Sequence, residues 1–400
     1  MKNFNKSFLI IIILLIMILC SCGQTTEVED KPYEVKNIVV EATCQSEGYT
    51  ERYYSDGYVC RDTFVEKSDH NYIEFSLGTE ANITRYVCQD CGRDKEIYTD
   101  VVINTDVVIN PNRERPSFAG LDVMVCSMIL ERTPDEAIRA IRKAETKGAF
   151  GFMIYVSCLD PEYRNFADLQ RIMHCTDKPV LAIAYNNSTF MPQDLSYEDM
   201  ASLLKLSVSA GAAAVDMQAF MWDDFSTTTA TLKANKAYFE NLGYDMSFAD
   251  ANPKEISGNI TALQLQKQFI DEIHDLGGEV LISIHANVQM TASQIVAMAK
   301  FAEQNGADIV KMVLSGSSKE TVIEHLKACV ELEKPGVLNA KFSVHGQSSL
   351  SRLMCPMFGS YIAFCVDEYT QVQTTIQIDL QTMVDIMNSP EMKEIFKWEK

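Results

Sequence analysis

Short apolar runs alternate with amphipathic segments from about residue 120 to the C-terminus. Such runs are typical of buried strands, whereas apolar positions three and four residues apart indicate helices. The sequence predicts eight strands, at 123–130, 152–156, 180–185, 212–217, 280–285, 309–314, 337–344 and 361–366. Buried strands that alternate with helices form a parallel sheet, and eight in one α/β domain favour a closed (β/α)8 barrel of the TIM type.

Several predicted helices begin with a recognisable capping signal. Thr133 is followed by a proline and then, at the third position, by a glutamate, which together form a capping box. We expect the same box at Thr291–Gln294 and at Ser317–Glu320. Residues 219–258 do not follow the alternation of strand and helix. They come directly after the fourth strand, at the barrel end where active sites of this fold lie, so we predict an inserted lid.

Residues 23–105 differ in texture from the predicted barrel at 106–400. They are rich in Tyr, Thr, Glu and Asp, and their alternating stretches lack a helical period, which predicts a small all-β module. Its cysteines are Cys44, Cys60, Cys88 and Cys91. Cys88 and Cys91 have the spacing of half a zinc site, but Cys60 has no cysteine three residues further on. A structural zinc held by these cysteines and a pair of disulfides therefore both stay open.

The N-terminus reads as an export signal. Two lysines precede an unbroken apolar run from Phe8 to Leu19, which is shorter than the roughly 20 residues that a spanning helix needs. The run ends in Leu19-Cys20-Ser21-Cys22, which resembles a bacterial lipobox with Cys22 as the residue to be acylated. We therefore expect a lipoprotein signal at residues 1–22 and a lipid-anchored protein on the cell surface; the alternative is a plain cleaved signal peptide.

Composition and charge limit the kinds of partner. The chain is 47% hydrophobic and 22% charged, as in ordinary globular proteins, and its formal net charge is −20. That charge argues against nucleic acid and against electrostatic docking on anionic lipid, so membrane contact is expected through the lipid anchor alone. The remaining cysteines of the predicted barrel are best interpreted as small core hydrophobes, at positions 126, 158, 175, 329, 355 and 365.

A lysine and a histidine on neighbouring strands are the candidate catalytic residues. Lys311 lies inside the apolar strand 309–314, where an ammonium group is unfavourable unless it is paired or neutral. Burial favours the neutral amine, which is a nucleophile towards carbonyl carbons. His285 ends the preceding strand, and neighbouring strands lie about 4.8 Å apart, so both side chains can face one cavity. The alternatives for Lys311 are a snorkelling side chain and a buried ion pair.

Five segments in this order resemble type I 3-dehydroquinate dehydratase. They are Ser283-Ile284-His285, Gly306 to Lys311, Ser351-Arg352, Phe358-Gly359-Ser360 and Gln377. The similarity is strongest from about residue 280 to 380, is weaker back to about Val123, and includes Val215-Asp216-Met217-Gln218 on the fourth strand. It does not extend into the first hundred residues.

The resemblance implies a role for each matched residue. Lys311 would form an imine with a substrate ketone, and His285 would remove the neighbouring proton and return it to the departing hydroxyl. Arg352 would bind the substrate carboxylate, and Gln377 would hydrogen-bond the substrate. Gln218 stands at a substrate-binding position where the family has a glutamate. The family's reaction needs no metal or cofactor, and its partner is a small keto acid; a homodimer is compatible with the sequence.

The first half of the barrel departs from the family pattern. Met153 to Ser157 replace a Glu-x-Arg-x-Asp series on strand 2, and Tyr185 to Ser188 replace an arginine and a glutamate after strand 3. Three readings follow: a 3-dehydroquinate dehydratase, another imine-forming lyase or aldolase acting on a related keto acid, and a surface binding protein that has lost catalysis. Export is unusual for shikimate biosynthesis and favours the last two readings, whereas the presence of both Lys311 and His285 disfavours the third.

Overall fold

The computed structural model describes residues 34–43, 47–55, 59–66, 71–74, 83–88, 94–98, 105–110, 113–120, 124–185, 195–367 and 376–395. The signal segment with Cys22 lies outside these residues. None of the described helices is both long enough and apolar enough to cross a membrane.

The first part of the chain forms two small antiparallel sheets. One contains β1 (Glu34–Val40), β2 (Gly48–Tyr54) and β3 (Val59–Val65), and the other contains β4 (Tyr72–Glu74), β5 (Ile83–Cys88) and β6 (Asp94–Tyr98). The first sheet is a compact unit of its own, and the second sheet belongs with the rest of the chain. The all-β character of this part agrees with the sequence prediction, while the exact limits 23 and 105 stay a prediction.

The remainder is a parallel α/β barrel. Its strands are β7 (Met124–Ile129), β8 (Gly151–Tyr155), β9 (Val180–Ile183), β10 (Ala214–Gln218), β11 (Glu279–His285), β12 (Ile309–Leu314), β13 (Lys341–Gly346) and β14 (Ile362–Val366), and a short β15 (Ile378–Asp379) extends the sheet. The order is β13-β12-β11-β10-β9-β8-β7-β14-β15. Each predicted strand has its counterpart, so the predicted TIM-type fold is confirmed.

Helices connect the strands on the outside. They are α1 (Pro134–Thr146), α2 (Phe166–His174), α3 (Tyr197–Ser209), α4 (Thr228–Ala234), α5 (Lys236–Asn241), α6 (Ile260–Asp275), α7 (Ala292–Gln304), α8 (Lys319–Leu332), α9 (Ser349–Met354), α10 (Leu380–Asn388) and α11 (Pro390–Ile395). Alternate strand residues face these helices or the barrel interior, because successive side chains of a strand point to opposite faces.

The predicted helix starts are confirmed in two cases and wrong in the third. Thr133 and Thr291 both form complete capping boxes, with Glu136 and Gln294. The cap of α8 is Ser318, whose side chain accepts from the backbone of Thr321, and not Ser317. Ser317 lies one residue before the cap, and its hydroxyl instead accepts a hydrogen bond from Gln289 Nε2 at 3.0 Å.

The seventh strand begins later than predicted. The apolar stretch starts at Val337, but pairing with β12 starts only at Lys341. Val337 and Leu338 lie in the turn after α8, where Gly336 has φ +79, and they pack on the core from the loop. Apolar character alone did not separate a packed loop from a strand.

The barrel closes at the junction of β13 and β14, here called the β13–β14 seam. No continuous ladder joins these two strands within the described sheet. The backbone N–H of Tyr361 donates to Phe342 O at 2.7 Å. The hydroxyl of Ser360 accepts from Val344 N at 2.9 Å and donates to Val344 O at 3.0 Å. Side-chain hydroxyls therefore replace part of the ladder at this point.

Residues 113–120 close the end of the barrel at which the strands begin; we call them the N-terminal plug. Phe118 is fully buried in a hydrophobic cluster inside the barrel, together with strand residues such as Met124 and Ile309. The carboxylate of Glu279 accepts from the backbone N–H groups of Phe118 at 2.7 Å and Ala119 at 2.8 Å. Arg113 and Arg115 donate to carbonyls at the ends of surrounding helices, at Met173, Thr176, Val208 and Leu276.

The segment 219–258 is a packed excursion between β10 and α6. At its base the Ser257 hydroxyl donates to the buried carboxylate of Asp223 at 2.6 Å. Phe239 and Phe248 both lie against Phe301 of α7, with ring centroids 5.4 Å apart in each pair. The segment therefore runs along the outside of α7 and returns to the barrel mouth, the end at which the strands finish. Its motion as a lid stays a prediction.

Candidate active site

The register of β11, β12 and β13 arranges polar residues in two rows inside the barrel. Ser283, Lys311 and Ser343 are paired neighbours in one row. His285, Val313 and His345 form the next row, nearer the mouth. Lys311 thus has a histidine on each neighbouring strand, each one row closer to the opening.

Lys311 is 5% exposed and lies in a closed ring of hydrogen bonds. Its Nζ donates to Asp216 Oδ2 at 3.0 Å and to the Tyr185 hydroxyl at 3.3 Å. The Tyr185 hydroxyl is 2.9 Å from Ser283 Oγ, and Ser283 Oγ donates to Asp216 Oδ1 at 2.6 Å. The buried ion pair that the sequence left open as an alternative is therefore present, and Asp216 is its acidic member.

Hydrogen bonds and aromatic rings hold the amino group of Lys311 in place. Burial and, next, the Asp216 carboxylate raise the pKa of Tyr185, so its hydroxyl stays protonated and can donate within the ring. Lys311 Nζ lies 5.7 Å from the centroid of the Tyr185 ring and 5.5 Å from that of Phe364. Aromatic faces on two sides attract a positive charge and exclude water from it.

His285 has a carboxylate partner that the sequence did not reveal. Its Nδ1 lies 2.6 Å from Glu255 Oε2. The Glu255 side chain is 9% exposed and the imidazole is 25% exposed, so the pair borders the cavity without being closed off from it. Glu255 belongs to the segment 219–258, thirty positions before His285.

His345 is a second histidine inside the barrel. It is 3% exposed, and its ring centroid lies 4.8 Å from that of Phe364. Burial, followed by the charges of Arg352 and Lys311, lowers its pKa well below the usual range, so the imidazole is neutral at neutral pH. The strand predicted from the sequence, 337–344, ends just before His345, and the sequence did not indicate a site residue there.

Arg352 lies on α9 beside the mouth and carries an uncompensated charge. Its Nη1 donates to Gln377 Oε1 at 2.8 Å, which brings together two residues that the sequence predicted for the site. Within the described part of the chain it has no carboxylate partner, and its buried Nε has no hydrogen-bond acceptor. Burial lowers its pKa to about 10, which leaves it charged at neutral pH. An anionic ligand group would satisfy both the charge and the free donor.

The opposite wall is aromatic and apolar. Met153 and Tyr155 face the interior from β8, and Tyr155 meets Tyr185 edge to face with ring centroids 6.0 Å apart. Gln218 ends β10 and is 2% exposed, in the row beside Ser283. The substitutions expected from the sequence at 186–188 lie outside the described residues.

The cysteine predictions divide into two groups. Cys44 and Cys91 lie outside the described residues, and only the backbone of Cys88 is described, so zinc and disulfides both stay predictions. Over the ranges given above, no group of three or more potential ligands could hold a metal ion. The thiols of the barrel are free, fully buried at 126, 329, 355 and 365 and partly buried at 158 and 175.

The part of the chain that carries most of this site is similar to a known protein family. Residues 259–394 match the family model of type I 3-dehydroquinase. A 3-dehydroquinate dehydratase of Aromatoleum aromaticum is 26% identical over 151 residues, which are 36% of this chain and 52% of that protein. The chain thus spans about half the length of that relative.

A solved structure extends the likeness to the whole barrel. Type I 3-dehydroquinate dehydratase from Clostridium difficile, with covalently modified comenic acid, has a TM-score of 0.52 and 14% identity, covering 70% of this chain and 96% of that chain. This likeness shows the fold alone. Residues 259–394, which match the family model, include Lys311, His285, Arg352 and Gln377.

Proposed function

We propose that the protein is an imine-forming carbon–oxygen lyase that resembles type I 3-dehydroquinate dehydratase and eliminates water from a cyclic keto acid. The reaction would convert 3-dehydroquinate to 3-dehydroshikimate. The observation that carries the proposal is the buried Lys311, one row below His285 on the neighbouring strand, inside a parallel barrel. The match of residues 259–394 to the type I 3-dehydroquinase family supports the same reaction.

In the first step the ammonium of Lys311 gives up a proton, and the resulting amine adds to the carbon of the substrate ketone. The hydroxyl of this adduct takes up that proton and leaves as water, so that a protonated carbon–nitrogen double bond remains. The protonated imine keeps the positive charge of the lysine at the same nitrogen. Asp216, now 3.0 Å from that nitrogen, can therefore stabilise the imine as it stabilises the ammonium. The bond between nitrogen and carbon draws electrons from the neighbouring C–H group.

In the second step His285 takes the proton from that carbon, and the bonding electrons form an enamine. The hydroxyl on the next carbon then leaves as water with the proton from His285. Hydrolysis of the imine releases the unsaturated ketone and restores the lysine. Arg352 binds the substrate carboxylate through its planar guanidinium, which Gln377 orients by accepting from Nη1.

Trapping of the imine tests the proposal directly. The protein is incubated with 3-dehydroquinate and borohydride and then weighed by mass spectrometry. We expect an adduct in the wild type and none in Lys311→Ala, while the control Lys341→Ala, a lysine at the other end of the adjacent strand, keeps it. His285→Ala should keep the adduct but lose about 10²–10⁴-fold in turnover. An adduct in Lys311→Ala would contradict the proposal.

A second candidate is an imine-forming lyase or aldolase that acts on another keto acid. The observation that favours it is the wall of Met153, Tyr155 and Tyr185, which occupies the positions of polar residues in the resembled family. Sites built to pair polar groups discriminate strongly against substrates that lack them, and an apolar wall does not provide that selectivity. Trapping with a panel of keto acids distinguishes this candidate, because adducts would form with other ketones in preference to 3-dehydroquinate.

A further inference from the structure

The contact between His285 and Glu255 fixes which ring nitrogen carries hydrogen. A carboxylate oxygen accepts only, so Nδ1, at 2.6 Å from Oε2, is the protonated nitrogen of the neutral imidazole. The other nitrogen, Nε2, makes no hydrogen bond within the described residues and keeps its lone pair. A histidine in this tautomer, with its ring held by a carboxylate, is arranged to accept a proton from a ligand.

The backbone around Glu255 holds the carboxylate in place. Glu255 has φ +54, in the left-handed region, which is unfavourable for a residue other than glycine. Such a conformation persists when the neighbouring structure enforces it. Lys254 N donates to Ala286 O at 3.2 Å, directly after β11, and Ser257 N donates to Ala219 O at 2.9 Å, directly after β10.

The rest of the segment is docked as well. Gln294 of α7 donates from Nε2 to Ser247 O at 3.3 Å. Gly258 lies so close to α4, a helix of the same segment, that an added Cβ would be 2.3 Å from Leu232 Cα, so the two ends of the segment are packed tightly on each other. Packing against α7 and α4 and hydrogen bonds to the ends of two strands therefore set the place of Glu255.

We propose that Glu255 is the positioning residue of His285, so that the segment 219–258 supplies the carboxylate on which proton transfer depends. The inference rests on the proposed function, in which His285 carries the proton. Lys311 has a separate carboxylate, Asp216, from β10. Imine formation and proton transfer thus depend on two different acidic residues from two different parts of the chain, and removal of one should spare the step served by the other.

The first experiment needs no substrate. Nitrogen-15 NMR of the histidine side chains at about pH 9, where an ordinary imidazole is neutral, reports the tautomer of His285. We expect the Nδ1-protonated tautomer in the wild type and a mixture of both tautomers in Glu255→Ala. Glu240→Ala is the matched control, because Glu240 is a largely exposed glutamate of the same segment that pairs with Lys236. An unchanged tautomer in Glu255→Ala would overturn the proposal.

The second experiment separates the two chemical steps. With 3-dehydroquinate, the borohydride adduct reports imine formation, and exchange of the substrate hydrogen with deuterium oxide reports proton transfer. In Glu255→Ala we expect the adduct within about twofold of wild type. Both exchange and turnover should be about 10–100-fold slower, as when a carboxylate that orients a metal-bound histidine is removed. Formate, a small carboxylate, should partly restore exchange in Glu255→Ala but not in His285→Ala.

The outcomes distinguish this inference from the proposed function. Parallel losses of adduct and exchange in Glu255→Ala, with no rescue by formate, would show a merely structural role and overturn the inference. Absence of an adduct in the wild type with every keto acid tested would instead contradict the proposed function, and the tautomer measurement would still decide whether Glu255 positions His285.

Discussion

The ion pair of Lys311 and Asp216 is almost free of solvent contact, with side chains 7% and 0% exposed. Removal of one member of such a pair leaves a buried charge without a partner, which typically destabilises a protein by about 3–5 kcal/mol. Asp216→Asn keeps the size of the side chain and should lower the free energy of unfolding by about that amount. Asp216→Asn combined with Lys311→Met should recover much of the loss. Urea unfolding measures both, and equal midpoints for the wild type and Asp216→Asn would contradict this expectation.

A second residue-scale prediction concerns pH. His325 is fully buried beside Ser351, with Nδ1 3.0 Å from Ser351 Oγ, and burial lowers its pKa to about 4. The unfolded chain therefore binds the proton more readily than the folded protein does. The contribution of His325 to the free energy of unfolding is fully present above about pH 6.5. It is lost as the pH falls towards 4, by up to about 3 kcal/mol.

Urea unfolding of the wild type and of His325→Gln, at several pH values between about 4 and 6.5, tests this expectation. Glutamine can keep a hydrogen bond to Ser351 but does not titrate, so its stability should depend less steeply on pH. His345 also has a lowered pKa and leaves part of the slope in the variant. Identical slopes for the two proteins would show that His325 does not titrate as described.

At this scale the sequence revealed the buried lysine but not its surroundings. An ammonium in an apolar strand already implies burial, and Lys311 is indeed buried. Asp216 stands in an equally apolar strand and carried the same signal, yet the distance between the two side chains depends on the closure of the barrel. The sequence around Glu255 has no periodic pattern that would predict its position. That position depends on a left-handed backbone and on contacts made by the long segment 219–258.

Among the elements, the eight strands were predictable because most of them are largely apolar and are buried on both faces. The β13–β14 seam was not predictable. Its closure relies on the hydroxyls of Ser360 and Ser343, which the sequence presents as ordinary polar residues; Ser343 Oγ donates to Ile362 O at 3.3 Å. The path of the segment 219–258 along α7 could not be predicted either. Its aromatic residues indicate burial, but the sequence does not show which surface they pack against.

The start of α8 offers a matched pair of substitutions. Ser318 accepts from Thr321 N at 3.3 Å and caps the helix, whereas Ser317 is exposed and lies one residue before the cap. Ser318→Ala should lower the free energy of unfolding by about 1 kcal/mol, the usual effect of losing a serine cap. Ser317→Ala should change it little. Thermal and urea unfolding of both variants would test the register, and equal losses would favour the cap at Ser317.

On the scale of the whole molecule, the anchor and the location are proposals. We propose that Cys22 is acylated and holds the protein at the exterior of the membrane, on the evidence of the sequence Leu19 to Cys22. Metabolic labelling with a fatty acid should mark the wild type, and Cys22→Ala should abolish the label. Cys20→Ala is the matched control and should keep it. Label that persists in Cys22→Ala would contradict the assignment. The homodimer also stays a prediction.

The N-terminal plug has a mechanical consequence for a chain held at its N-terminal end. A pull on the segment upstream of Arg113 would not reach β7 first. Arg113 and Arg115 donate to four carbonyls at the end of the barrel where the strands begin, and Glu279 accepts from the backbone N–H groups of Phe118 and Ala119. These contacts would bear the force in parallel, so tension would be spread over several elements at this end of the barrel. Lys311, in the middle of β12, and His285, at the far end of β11, would be shielded from it.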